Sequence, residues 1–175
     1  MKIESSDIIQ HPVDQVYETY RDEMPQIADY VANISKIEVE SREDVEGGVK
    51  LHNVWYALGE IPGIAKAIIK PEMLMWDDFA HWIDDKQYCD WELSTRFFTE
   101  NVTCTGRSSF YDNGDGSTRV EITGDLNISL RGVAGIPRIL QSRAAPQIEK
   151  FIVSLISPSL RRVTAGVGRF LDAAK

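Results

Sequence analysis

Three histidines, two cysteines and a few paired carboxylates are the side chains of this 175-residue chain best equipped for chemistry. Their spacing argues against most of it. His11, His52 and His81 lie far apart and show no metal-ligand spacing. Asp112-Asn113-Gly114-Asp115-Gly116 has the look of a calcium loop, but the alternating acids and closing Glu are wrong, and it reads as a hairpin turn. Asp77-Asp78 and Asp84-Asp85 read as exposed strand ends, with nothing to raise one carboxyl for acid–base work. There is no nucleophile elbow, phosphate loop or dinucleotide fingerprint. No catalytic residue, metal or cofactor is expected on this reading. Cys89 and Cys104 fall in consecutive predicted strands and read as small core residues of a reducing compartment.

The elements that would position any site follow from periodicity. Lys2–Ile9 reads as a strand, and His11-Pro12 opens a helix with Val13, Val16, Tyr17 and Tyr20 on one face. Pro25 begins a second short helix. Strand patterns then run through 36–43, 49–58, 73–83, 87–97, 102–112 and the clean alternation from Val120 to Arg131. From Ile136 onward, apolar residues at Ile148, Phe151, Ile152, Leu155, Ile156, Leu160, Val163, Val167, Phe170 and Leu171 mark one stripe of a long helix. Ser157-Pro158 is expected to kink or restart it. The order predicts one α+β domain over residues 1–175, in which a curved, seven-stranded antiparallel sheet (β-α-α-β6-α) wraps the C-terminal helix. A helix laid across such a sheet can enclose a cavity.

Charge is uneven. The net charge of −8 argues against a nucleic-acid partner. Residues 131–175 carry +6 while the first 130 carry −14, so an acidic body ends in a basic helix. Arg143, Lys150 and Arg161 align on the side opposite the apolar stripe, either as a ridge for anionic phosphates or as a solvated face. MKIESSDIIQ has no apolar leader region and no run approaches a membrane span, which predicts a cytoplasmic protein. Between strands, GEIPGIAKAIIKP (59–71) is apolar, with Ile61, Ile64 and Ile68. It reads as a lid over a ligand or as a loop packed permanently on the core. Tyr17, Tyr20, Trp55, Trp91, Phe97 and Phe110 are candidate cavity walls or plain core.

The element order resembles the helix-grip fold of the START-like superfamily, which includes lipid-transfer domains and polyketide cyclases. Shorter stretches resemble PRELI-type phospholipid-transfer domains: Val16–Arg21 before Met24-Pro25, Leu51-His52 with Gly59–Ile69, and Trp91–Thr95 with Glu100–Thr103. The Tyr-Pro-Asn-Pro usual after the Arg is replaced by Asp22-Glu23-Met24-Pro25-Gln26. The resemblance implies binding, and transfer between membranes, of a phospholipid or other acyl lipid. Phe151 and Leu155 would meet the acyl part, Ile61, Ile64 and Ile68 would gate entry, and Arg21 with Lys150 or Arg161 would meet the head group. It also implies peripheral contact with anionic membrane and, if truly PRELI-like, the mitochondrial intermembrane space. A non-enzymatic carrier is the leading expectation. The alternative is a polyketide cyclase or aromatase, whose cavity would contain convergent polar groups drawn from Asn53, His52 or Arg107.

Overall fold

The computed structural model describes residues 1–63, 65, 66, 69–130 and 138–174. Seven strands are seen: β1 (Lys2–Ile9), β2 (Ile34–Val45), β3 (Gly48–Ala57), β4 (Met75–Ile83), β5 (Tyr88–Thr95), β6 (Val102–Asp112) and β7 (Thr118–Ile128). The helices are α1 (Val13–Asp22), α2 (Met24–Ile27) and α3 (Arg138–Ala173). The strands form one antiparallel sheet in the order β1-β7-β6-β5-β4-β3-β2. From β2 to β7 each strand pairs with its successor, so hairpin connections suffice for most links. β1 instead pairs with β7 at the far edge. The chain must therefore cross the sheet between β1 and β2, and α1 and α2 make that crossing.

Periodicity explains what each element buries. In α1, Val16, Tyr17 and Tyr20 turn inward, and Pro12 supplies a pre-set extended φ just before the first turn. In α3, Ile148, Ile152, Ile156, Val163, Val167 and Leu171 lie in the core, as the expected stripe requires. The Tyr20 hydroxyl and Thr164 Oγ1 share a buried hydrogen bond of 2.6 Å that ties α1 to α3. Two register shifts bend the long edge strand β2, between Ile34 and Lys36 and between Val39 and Ser41.

Pro158 does not end α3. The helix runs through it, although Pro158 has no N–H for the Ser154 carbonyl. One residue on, the Leu155 carbonyl accepts from Ser159 Oγ (2.7 Å) and from Asn33 Nδ2 (3.2 Å), which also donates to Ser159 Oγ (2.6 Å). Asn33 thus clasps the helix just past this missing hydrogen bond. No helix among the described residues is long and apolar enough to cross a membrane.

Candidate functional site

β4 organises the interior. Its sequence MWDDFAHWI alternates, so Trp76, Asp78, Ala80 and Trp82 are buried under the helix while Phe79 is exposed on the other face. Antiparallel register brings Asn53 opposite Asp78 and Trp55 opposite Trp76 on β3. On β5 it sets Leu93 opposite Asp78 and Trp91 opposite Ala80. All four tryptophans of the chain therefore gather around one small alanine, and a cavity of about 50 Å³ opens there. Tyr20, Met24 and the α3 residues Ser159, Leu160 and Val163 close it from the helix side.

Two glycines make room for one of these indoles. Gly106 and Gly124 pair across β6 and β7, in the same row as Trp91. A Cβ at Gly106 would lie 2.3 Å from Trp91 Cζ2, and one at Gly124 would lie 2.6 Å from Cη2. The indole rests on bare backbone, and its Nε1 donates to Ser108 Oγ at 3.2 Å.

Asp78 is the one carboxylate in the cavity wall. It is 8% exposed, and its Oδ2 accepts from Trp55 Nε1 (3.1 Å) and Asn53 Nδ2 (3.2 Å). Burial pushes its carboxyl up to about 6, against the opposing pull of those two donors and of His52. The expectation that Asp77-Asp78 is an exposed strand end is therefore corrected for Asp78, which sits mid-strand and faces inward. The doublet hid the signal: Asp78 shares period-2 spacing with Trp76, Ala80 and Trp82. The cysteines are free, buried thiols. Burial pushes Cys104 up to about 12 and Cys89 well above the usual thiol range, so neither offers a thiolate at neutral pH.

Of the residues singled out from sequence, Tyr20, Trp55 and Trp91 line the cavity. Tyr17 and Phe110 lie beyond Trp82, at ring-centroid distances of 5.3 and 5.9 Å. Phe97, Phe151 and Leu155 are buried but do not line it. Ile61 is buried within the 59–70 segment, with Ala65 and Ile69; Ile64 and Ile68 lie outside the described residues. A Cβ on Gly59 would come 2.9 Å from Leu155 Cδ2, so Gly59 lies against α3. Arg21 is an ion-pair partner of Asp22 (2.8 Å) and Asp84 (2.9 Å) near the surface. Lys150 and Arg161 are exposed on α3. None of these three lines the cavity. Of the polar candidates for a cyclase, only Asn53 faces inward. His52 stacks on exposed Phe79 on the outer face, and Arg107 pairs with Asp90.

A wider hollow of about 610 Å³ lies on the outer face, lined by Lys2, Glu4, Phe79, the Asp90–Arg107 pair and Glu92 among others. It is open, and its charges are solvated. The inner cavity is the less open of the two and has the unusual carboxyl. Among the described residues no group of three side chains could hold a metal ion.

No sequence-family profile matches the chain, and no curated protein matches it. Solved structures do. The Zhui aromatase/cyclase from Streptomyces sp. R1128 superposes with a TM-score of 0.65 at 17% identity, over 99% of this chain and 97% of that one. A START superfamily protein from Mycobacterium smegmatis superposes at 0.51 with 8% identity, over 99% of both chains. The fold is the START-like helix grip. Norcoclaurine synthase from Thalictrum flavum has the same START-like architecture, at a TM-score of 0.59 and 12% identity over 98% of this chain and 86% of that one. Likeness at these identities establishes the fold and leaves function to the site. The PRELI-type resemblance rests on its short motifs alone.

Proposed function

We propose that this chain binds a small, ring-bearing hydrophobic molecule in the tryptophan cavity and that Asp78 acts on it as an acid–base group, a cyclase-type activity. The observation carrying this reading is the Asp78 carboxyl, buried among Trp55, Trp76 and Trp91 with only neutral hydrogen-bond donors. Burying a carboxylate without a cation costs several kcal/mol. A site that only shelters an acyl chain gains nothing from it. An acid titrating near 6 is present in both forms close to neutrality, which suits general catalysis. As carboxylate, Asp78 takes a proton from the carbon beside a ligand carbonyl, leaving an enolate. As acid it returns that proton to a hydroxyl on the next carbon; the enolate electrons form a carbon–carbon double bond as that C–O bond breaks, and water leaves. Tryptophan rings favour other flat rings, offset-stacked or edge-on. The aromatase/cyclase and norcoclaurine synthase among the similar structures accord with ring chemistry in this architecture.

The resting cavity is far below the roughly 300–1,000 Å³ of common ligand pockets. Entry therefore requires a wall to move. Ser159 and Leu160 follow directly on Pro158, where α3 lacks a backbone hydrogen bond, and form the wall that moves once the Asn33 clasp on Ser159 releases. Acyl-lipid carriage is the second reading, supported by Gly59 against α3 and by the buried Ile61, Ala65 and Ile69. Membrane contact through exposed Lys150 and Arg161 belongs to that reading.

The deciding experiment is to expose purified protein to cell extract, identify bound molecules by mass spectrometry, and assay conversion with wild type and Asp78→Asn. A ring compound is expected, bound by both proteins, with conversion reduced at least about 100-fold in the variant. Recovery of acyl lipids alone, or full conversion by Asp78→Asn, would overturn the proposal.

A further inference from the structure

Four buried polar atoms lack a hydrogen-bond partner among the described residues, and two of them, Asn53 Oδ1 and Trp82 Nε1, belong to residues lining the tryptophan cavity. Asn53 is 3% exposed and Trp82 4%. An unsatisfied buried donor or acceptor forfeits the hydrogen bond it had with water, and native proteins keep few of them. Two in the wall of one small cavity point to a ligand that completes them.

Their chemistry is opposite. An indole N–H only donates, and an amide oxygen only accepts. Asp78 Oδ1 adds a second acceptor beside Asn53, because both donors that reach Asp78 go to Oδ2. Their positions are opposite too. Asn53 pairs with Asp78 across β3 and β4, whereas Trp82 is four residues further along β4, roughly 13 Å at the usual strand rise. Between them on that face stands only Ala80. The cavity thus has an accepting end and a donating end, separated by an apolar stretch.

We infer that the ligand is a hydroxy ketone built on more than one ring, its hydroxyl donating to Asn53 Oδ1 and Asp78 and its carbonyl oxygen accepting from Trp82 Nε1. A hydrocarbon tail satisfies neither end. This rests on the binding reading above but concerns the ligand's polarity rather than its conversion. It makes Trp82 and Asn53 the residues that set specificity.

The probe is 6-hydroxy-1-tetralone, whose hydroxyl and ketone lie at opposite ends of two fused rings. Its comparators are 1-tetralone, 5,6,7,8-tetrahydro-2-naphthol and tetralin, with affinities read from tryptophan fluorescence quenching. The hydroxy ketone should bind about tenfold more tightly than either singly substituted compound, since one hydrogen bond is worth about a factor of ten. Trp82→Phe should weaken the two ketones about tenfold and leave the naphthol unchanged, a split that mere loss of packing would not produce. In the unaltered protein, the Trp82 indole N–H resonance should move downfield with the ketones and not with the naphthol. This reading holds even if Trp82→Phe fails to fold. Equal affinity for all four compounds, uniform weakening by Trp82→Phe, an unmoved resonance with ketone bound, or no binding of any probe would overturn the polarity inference. The Asp78→Asn conversion assay with the molecule recovered from extract decides the functional proposal separately.

Discussion

Asp77 and Asp78 are adjacent in β4 and chemically identical, yet the pleat sends them to opposite faces of the sheet. Asp77 joins a charged cluster. Arg96 reaches both of its oxygens at 2.6 and 2.7 Å, and His52 Nε2 lies 2.8 Å away. Partial burial alone would raise its carboxyl, but Arg96 and His52 outweigh that and hold it below the usual range. Asp78 has neutral donors only, and burial raises it to about 6. The outer face treats a carboxylate as a partner for cations; the inner face keeps one available for protons. A single step along the chain separates an acid paired with cations from one buried among neutral donors.

The strongest way to test that contrast is the pH dependence of stability. Asp78 titrates near 6 in the fold, against 3.8 ordinarily. The folded state therefore binds the proton more tightly, so its contribution is full below about pH 4 and is lost as pH rises through 6. That difference corresponds to roughly 3 kcal/mol. Asp78→Asn should abolish that slope and raise stability at pH 7 by up to about 3 kcal/mol in urea titrations, where a flat wild-type profile would sink the assignment. Gly106→Ala, which sets a methyl against the Trp91 indole and the Thr123 carbonyl, should cost about 1–3 kcal/mol. It should also alter near-ultraviolet dichroism as the indole is displaced. Asn33→Ala should cost about 1 kcal/mol by releasing the clasp on Leu155 and Ser159. Faster amide exchange just after Pro158 than elsewhere in α3 would sharpen the view of that turn as the moving wall. Asp77→Asn should cost under about 1 kcal/mol, salt-sensitively. Its sign is reversed: the contribution is present above the ordinary carboxylate range and lost as pH falls.

Much of the architecture was legible because it depends on repetition. Alternation along β4 to β7 and the stripe from Ile148 to Leu171 each recur often enough to outweigh single exceptions. Tyr20, Trp55 and Trp91 were legible as possible walls for the same reason. Asp78 was not, since an acidic doublet beside a loop ordinarily faces water, and only the tryptophans two residues before and four after argue otherwise. The Asn33 clasp was not legible either. It joins residues 122 and 126 positions apart, a juxtaposition that no local pattern encodes. Lys150 and Arg161 were placed correctly by helical geometry as outward-facing, but helical geometry alone cannot say what they meet.

The bent strand β2 has a consequence for life in a crowded solution. As the last strand of an open sheet, it presents a 12-residue row of backbone groups that could recruit a strand from another copy. Its outward positions include Lys36, Glu40, Arg42, Glu43 and Asp44, and its two register shifts twist the row out of line. A neighbouring strand would have to strip water from these charged side chains on a surface that no longer runs straight. The charged side chains of β2 thus work as insulation along the seam where the sheet would otherwise continue into a fibre.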